Sequence, residues 1–323
     1  IEIDCVVLDL SKEEERELNI RLNKNTGDFD MDILANEFDI DELVDWGFKH
    51  IDLDINIDKI TEGNTEDDHI PEVKESRVKL GDVWQLGKHR LMCGDSTKES
   101  DVEKLMNGEK ADMVFTDPPY GMGYKSNGWD SDKTNSIGFK NNEIILGDEN
   151  ISVGTDAIRM CNKFIKKNVH LFFWCRWDSF YEFSKAASEF SKVKGNIVWD
   201  KGDAPGLGDL ECSFGGNEMA VHSIVGRRKL KKRINSVWQS NRLKGLSMVH
   251  PTQKPIEIIN PAIHNCTKIS DLIIDLFLGS GSTLIACEKT NRICYGMELD
   301  TKYCDVIIER WEQFTGQKAK KCG

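Results

Sequence analysis

Four consecutive residues, Asp117, Pro118, Pro119 and Tyr120, are candidates for chemistry. They follow the apolar run 111–116, a predicted strand, and two prolines end a strand because they donate no ladder hydrogen bond and hold their own backbone rigid. A fixed carboxylate beside a proline carbonyl offers two acceptors, which match the two hydrogens of an exocyclic amine, and the tyrosine ring can stack on the base. These residues, the catalytic corner, are predicted to activate an amine by orientation and electrostatic stabilisation. Taken alone, they also fit a simple Pro-Pro turn preceded by Asp.

A second candidate site follows the apolar run 272–277, where a glycine turn leads into a predicted helix. Backbone can approach a ligand closely at such a turn, at the carboxyl end of a strand. Nineteen residues after Gly279, the next strand ends in Glu298, a spacing that suits a carboxylate binding the two hydroxyls of a ribose. Leu284 replaces the third glycine of a dinucleotide fingerprint, which favours a nucleoside cofactor without phosphates over NAD. The candidate cofactor-binding residues here are Asp275, Phe277, Gly279, Ser280, Gly281, Ser282, Thr283, Glu298 and Leu299.

Short β-rich runs alternate with helical segments from Val78 onward, a pattern typical of α/β folds. Strands are predicted over 90–93, 111–116, 169–174, 195–199, 219–224, 272–277 and 292–297. Helices are predicted over 98–106, 151–165, 177–190, 256–266, 283–289 and 302–315. The polar stretches 121–149 and 200–216 fit neither pattern, and loops of that length in a compact domain are usually functional or mobile.

The net charge of −12 is unevenly distributed. Residues 1–80 have a net charge of −15, and the remaining 243 residues have a net charge of +3. The weakly basic remainder of the chain could therefore bind phosphate. We expect an acidic N-terminal segment and linker over 1–75 and a folded domain over 76–323. No apolar run is long enough to span a bilayer, and the opening residues do not have the basic-then-apolar pattern of a leader, so the sequence gives no reason to expect secretion. Ten scattered cysteines without a CxxC pair predict reduced thiols, a cytoplasmic location and no metal site. The cell would be bacterial or phage-infected if the family resemblance described next holds.

Three motifs together resemble one family, the amino-methyltransferases that modify adenine N6 or cytosine N4 in DNA. They are the catalytic corner, the loop Phe277–Gly281 and the segment His250–Pro255. The corner precedes the loop, as in the family's β arrangement, which would place target recognition within about 121–249. The resemblance covers about residues 78–316. It implies S-adenosylmethionine as cofactor and a Rossmann-like α/β fold, a mostly parallel seven-stranded sheet with helices on both faces.

The resemblance also implies roles for single residues. Asp95 and Ser96 would lie near the cofactor adenine, Lys254 near its carboxylate, and Asp117 would serve both cofactor and base. Otherwise Lys254 is an ordinary exposed lysine and Asp95 a helix N-cap. Family members that act on cytosine more often carry Ser at the place of Asp117, so the resemblance favours site-specific transfer to adenine N6 on a flipped-out base. Cytosine N4, an RNA substrate and an inactive regulatory or binding subunit of the same fold are the alternatives.

The densest basic run is a candidate for contact with double-stranded DNA, because it could neutralise phosphates near the active site. It comprises Arg227, Arg228, Lys229, Lys231, Lys232 and Arg233. The alternative is a solvated surface. Residues 1–50 faintly resemble a ParB-like segment found fused to some phage and prophage methyltransferases. Monomer and homodimer both stay open.

Overall fold

The computed structural model describes residues 10–12, 18, 61–71, 73, 76–121, 150–202, 217–240 and 254–322. The chain divides into two compact units, Ile1–Ile57 and Asp58–Gly323. The second unit therefore begins ahead of the boundary near residue 76 that composition predicts. Outside the described residues lie most of residues 1–50, which carry the ParB-like resemblance, and His250 to Gln253. Residues 122–149, 203–216 and 241–249 of the segment assigned to target recognition also lie outside them.

The described part of the second unit contains ten strands and six helices. The strands are β1 (Val83–Leu86), β2 (His89–Cys93), β3 (Ala111–Thr116), β4 (Ile165–Cys175), β5 (Lys192–Asp200), β6 (Asn217–Val225), β7 (Val237–Gln239), β8 (Leu272–Asp275), β9 (Ile293–Glu298) and β10 (Lys320–Lys321). The helices are α1 (Glu99–Met106), α2 (Ile151–Cys161), α3 (Phe180–Ser188), α4 (Ile256–Cys266), α5 (Ser282–Lys289) and α6 (Thr301–Thr315).

All ten strands join one sheet, in the order β10-β1-β2-β9-β8-β3-β4-β6-β5-β7. Strands β2, β9, β8, β3 and β4 are parallel neighbours, and β6 lies antiparallel between β4 and β5. The seven strands from β2 to β5 form the mostly parallel sheet that the resemblance implies, which confirms the predicted fold class. Strands β1, β7 and β10 were not predicted; they are short and extend the two edges of the sheet.

Helices cover both faces of this sheet. In β3, Met113 and Phe115 join the core covered by α4, α5 and α6, whereas Val114 joins the core covered by α1, α2 and α3. A strand buried on both faces has a continuous apolar sequence, as Met113–Phe115 does. Because β2, β3, β8 and β9 run in the same direction, the residues that follow them meet at one edge of the sheet, here called the carboxyl edge.

Strand β8 ends at Asp275, two residues earlier than predicted. The next two backbone N–H groups donate to side chains instead of a neighbouring strand. The N–H of Leu276 donates to Thr116 Oγ1 at 3.2 Å, and that of Phe277 donates to Asp275 Oδ1 at 3.1 Å. The apolar run therefore continues past the end of the strand into the glycine loop, defined here as Phe277–Gly281.

Gly121 ends the catalytic corner in a conformation that an L side chain rarely adopts, with φ of +79°. A Cβ there would also lie 2.3 Å from the backbone nitrogen of Ile151, at the start of α2. Gly108 is a matched control, since its φ is +85° but a Cβ would meet no atom within 4 Å.

We expect Gly108→Ala to lower the free energy of unfolding by about 1–2 kcal/mol, from backbone conformation alone. Gly121→Ala should lower it by about 1–3 kcal/mol more, because the corner and α2 must move apart. Urea denaturation of both variants measures the difference. Equal losses would show that the close approach to Ile151 contributes nothing.

Candidate active site

The catalytic corner is held between β3 and the helices α2 and α3. The hydroxyl of Tyr120 donates to Asp117 Oδ1 at 2.6 Å, and the Tyr120 ring centroid lies 6.5 Å from that of Phe183 in α3. A Cβ added to Gly154 of α2 would lie 2.9 Å from the Pro119 carbonyl oxygen, so only glycine permits this contact. Pro118 is buried. The carboxylate is therefore fixed in place before any ligand binds.

Lys254, just ahead of α4, links the corner to two strands on the other side. Its Nζ forms an ion pair with Asp117 Oδ2, lies 3.2 Å from Glu218 Oε2 at the start of β6, and lies 5.1 Å from the centroid of the Trp174 ring. Lys254 is only 7% exposed, so it is not an ordinary surface lysine. Lys201, after β5, pairs with the other oxygen of Glu218.

The result is a row of alternating charges, Asp117, Lys254, Glu218 and Lys201, along the carboxyl edge. Sequence reasoning missed Glu218 and Lys201. Neither belongs to a motif, and only the pairing of β5 with β6 brings them together beside Lys254.

Burial and these ion pairs set the ionisation of the site. Burial raises the pKa of Asp117 above its usual value, although the Lys254 charge opposes the rise. Burial favours a neutral Glu218, but Lys254 and Lys201 outweigh it and hold the pKa of Glu218 at about 2. Burial disfavours the charge of Lys254, but the Asp117 and Glu218 carboxylates outweigh it and raise its pKa. Burial, then the Asp117 charge, raises the pKa of Tyr120 well above its usual value, so the hydroxyl remains a donor.

The glycine loop lies directly beside the corner. Thr116 Oγ1, at the end of β3, donates to Asp275 Oδ1 at 2.8 Å. Asp275 is 4% exposed, and burial raises its pKa to about 6. Its carboxylate holds the start of the loop through the Phe277 N–H. In the described structure Asp275 therefore fixes the backbone at the start of the glycine loop.

The loop residues divide into those that shape it and those near open space. Gly281 has φ of +86°, and a Cβ there would lie 3.2 Å from Ile307 of α6. Ser280, Ser282 and Thr283 are buried. At Gly279, by contrast, a Cβ would meet no atom within 4 Å, so space is open above the loop at this position. Leu299, at the carboxyl edge after β9, is 37% exposed.

Glu298 ends β9 beside this open space. Its Oε2 accepts from the Gly279 N–H and its Oε1 from the Asp300 N–H, both at 2.9 Å. A carboxylate has about four acceptor positions, so about two are left for hydroxyl groups. Burial raises the pKa of Glu298 to about 7. The open space and the remaining acceptors fit the ribose of a nucleoside cofactor.

Asp95 and Ser96 follow β2 and lie next to Glu298, since the Gly94 N–H donates to the Glu298 carbonyl at 3.0 Å. Asp95 Oδ1 accepts from the backbone and hydroxyl of Thr97. The N-cap of α1 is Lys98, so Asp95 closes a turn before the helix instead of capping it. Asp95, Ser96 and Glu298 thus lie close together, and their contact with the cofactor remains a prediction.

The basic run 227–233 is not brought to this edge. Strand β6 is antiparallel to β4 and pairs Val225 with Val169, so the chain leaves β6 at the amino edge of the sheet. There Arg228 pairs with Asp271, and its Nη1 lies 3.4 Å from Asp112 Oδ1. Six residues of strand span about 20 Å, which is roughly the distance from this edge to the catalytic corner. Phosphate contact by the run remains a prediction, but not one beside the active site.

Comparison with known proteins agrees with this geometry. Residues 217–309 match the N6_N4_Mtase family of DNA methylases. The type II methyltransferase M2.DpnII of Streptococcus pneumoniae is 26% identical over 271 residues, covering 74% of this chain and 98% of that protein. The type II methyltransferase M2.LlaDCHI of Lactococcus lactis subsp. cremoris is 27% identical over 247 residues, covering 68% and 88%. These matches support an N6/N4-type DNA methyltransferase.

The fold of the methyltransferase agrees with that of a solved structure, M1.HpyAVI, with a TM-score of 0.50 and 20% identity over 69% of this chain and 98% of that one. The cofactor is S-adenosylmethionine, which the residues around Gly279 and Glu298 fit. Within the described ranges, no helix is long and apolar enough to cross a membrane. The same ranges contain no group of three or more His, Cys, Asp and Glu side chains that could hold a metal ion.

Replacing Lys254 by Met should move the acid limb of the pH–activity profile of the methyltransferase to higher pH. Asp117 is a stronger acceptor when it is ionised, and the charge of Lys254 lowers its pKa against the effect of burial. Removing this charge raises the pKa of Asp117, so protonation begins at a higher pH. The measurement is the pH dependence of kcat at saturating cofactor and DNA.

Lys201→Met is the control for this shift, because Lys201 pairs with Glu218 and not with Asp117. Its acid limb should move less than that of Lys254→Met. An acid limb that stays in place in Lys254→Met would show that Asp117 does not depend on this lysine.

Proposed function

We propose that this DNA methyltransferase transfers a methyl group to the exocyclic N6 of adenine, at specific sites in double-stranded DNA, on a base rotated out of the helix. The observation that carries the proposal is the fixed Asp117 carboxylate, which Tyr120 and Lys254 hold beside the glycine loop. An exocyclic amine in a duplex is inaccessible, so the base must leave the stack, at a cost of a few kcal/mol.

The residues of the corner supply orientation and electrostatics. Asp117 accepts one amine hydrogen and the Pro118 carbonyl accepts the other, which makes the nitrogen lone pair less delocalised into the ring. S-adenosylmethionine supplies a methyl group on a positively charged sulfur. A nitrogen–carbon bond would form as the sulfur–carbon bond breaks, which would leave neutral S-adenosylhomocysteine. The methylated nitrogen would then carry a positive charge until it releases one proton to solvent. Both Asp117 oxygens already accept one hydrogen bond, and each has a second lone pair for the amine.

Adenine is favoured over cytosine by the residue at position 117. The related enzymes that act on cytosine N4 more often have Ser there, and this chain has Asp. The position of Lys254 supports an ionised Asp117, which is a stronger acceptor than a hydroxyl group. The same geometry can hold the amine of cytosine, so the product must be identified directly.

We expect N6-methyladenine as the product when unmethylated DNA is incubated with S-adenosylmethionine, digested to nucleosides and analysed by mass spectrometry. Asp117→Ala should lower kcat about 10²–10³-fold, because it removes a preorganised electrostatic contact. Cofactor binding should persist. Asp156→Ala, an exposed change in α2, is the control and should leave kcat unchanged.

N4-methylcytosine as the product would overturn the assignment of adenine. An unchanged rate in Asp117→Ala would overturn the role of the corner itself. The same incubation with RNA distinguishes the two nucleic acids, since methylation of RNA in preference to DNA would contradict a DNA substrate.

DNA must reach the carboxyl edge, and two exposed aromatic residues lie there. Trp177 is 74% exposed and Tyr181 is 68% exposed, both close after the carboxyl end of β4. Trp177 precedes α3 and Tyr181 lies in it, and α3 also carries Phe183, whose ring packs near that of Tyr120 in the corner. Exposed aromatic rings beside a site often mark an interaction surface, and stacking on a base contributes about 1–3 kcal/mol. We propose that these rings contact DNA next to the flipped base.

Trp177→Ala should raise the Kd for DNA about thirtyfold, which corresponds to the middle of the range for one stacked base. The Kd for S-adenosylmethionine and the Tm should not change, because the side chain is exposed. Leu80→Ala removes another exposed apolar side chain, 65% exposed, and is the control. Equal DNA affinity of the two variants would rule out a contact at Trp177.

A further inference from the structure

Residues 61–71, here called the strap, pack against the ends of α5 and α6, behind the glycine loop. The Thr61 N–H donates to the carbonyl of Lys289 at the end of α5, and the Asn64 N–H to that of Phe314 at the end of α6, both at 2.8 Å. Ile70 and Pro71 are buried. Composition predicts a linker here, but these residues are bound to the folded unit.

Arg310 of α6 connects the strap to the glycine loop. Its Nη1 donates to the Ser280 carbonyl and its Nη2 to the Asp67 carbonyl, both at 2.8 Å. The side chain is 2% exposed. A guanidinium group is planar and its donors have fixed directions, so one Arg310 sets the position of the loop relative to the strap.

Asp68 of the strap contacts both this arginine and the segment that carries Lys254. Its Oδ1 lies 3.9 Å from Arg310 Nη2 and accepts from the Ile256 N–H at 3.3 Å. Ile256 is the first residue of α4, two residues after Lys254. A carboxylate at a helix N-terminus is favoured by the helix dipole, so Asp68 stabilises the start of α4 where Lys254 is held.

We propose that Asp68 and Arg310 are positioning residues for the cofactor site. From behind, they hold the glycine loop and the Lys254 segment in the geometry that binds S-adenosylmethionine. The acidic strap therefore helps to set the geometry of the cofactor site. This inference rests on the identity of the cofactor and is independent of which base is methylated.

Asp67 offers a matched control next to Asp68. Its carboxylate pairs with Lys289 at the far end of α5, and Arg310 uses only its backbone carbonyl. Asp67→Asn therefore removes the same charge from the strap but keeps the Arg310 contact. Asp68→Asn weakens the contacts with Arg310 and Ile256.

The test compares Asp68→Asn, Arg310→Lys and Asp67→Asn in the full chain. Isothermal titration with S-adenosylmethionine and with S-adenosylhomocysteine gives Kd, and thermal unfolding gives Tm. We expect Asp68→Asn and Arg310→Lys to raise both Kd values about tenfold, with kcat at saturating cofactor and the KM for DNA within about twofold of the parent. Asp67→Asn should leave Kd within about twofold.

Equal Kd changes in Asp68→Asn and Asp67→Asn would overturn the proposal, because a general loss of charge would then explain both. A lower Tm with unchanged Kd, measured where all variants are folded, would also overturn it and assign Asp68 to stability alone.

Hydrogen exchange provides a second readout that does not depend on activity. In Asp68→Asn and Arg310→Lys, the amides of the glycine loop and the first turn of α4 should exchange faster than in Asp67→Asn, with the central strands unchanged. Uniformly faster exchange would indicate a purely structural role and contradict the proposal.

Discussion

A buried hydrogen bond from Thr116 to Asp275 joins the last residues of β3 and β8, and the active site depends on this contact. These strands are parallel neighbours in the middle of the sheet, so the residues after each leave at the same edge. The segment after β3 is the rigid corner that begins at Asp117, and the segment after β8 leads into the glycine loop. The same Asp275 oxygen accepts from the Phe277 N–H, so the bond that aligns the strands also starts the turn of the loop. Chain segments about 160 residues apart thereby form one site.

Placing charge at this edge requires compensation, because partly buried ions lose hydration. The structure alternates the charges: Lys254 lies between Asp117 and Glu218, and Lys201 lies beyond Glu218. Removing one member of a buried pair typically costs about 3–5 kcal/mol, so the row stabilises the fold as a unit. Within it, the Lys254 charge opposes the rise that burial causes in the pKa of Asp117. A similar logic governs the strap, where carboxylates surround the buried Arg310 behind the cofactor loop.

Local patterns in the sequence predicted the residues that lie next to each other along the chain. The proline pair after an apolar strand predicted the corner, and the glycine turn together with Glu298 predicted the glycine loop. The contacts of Glu218, Lys201, Arg310 and Asp68 could not be predicted in this way, because each depends on a partner far away in sequence. The basic run shows the opposite error. Its charge density was evident, but the antiparallel direction of β6, which sends it to the amino edge, left no sign in the run itself.

The central claim is that the corner and the glycine loop form one site for cofactor and base. A crystal structure of the methyltransferase with S-adenosylhomocysteine tests this most directly. We predict that the ribose hydroxyls lie within hydrogen-bonding distance of the Glu298 carboxylate and that the sulfur points towards Asp117 and Tyr120. A ligand bound away from Glu298, or one whose sulfur points away from the corner, would contradict it.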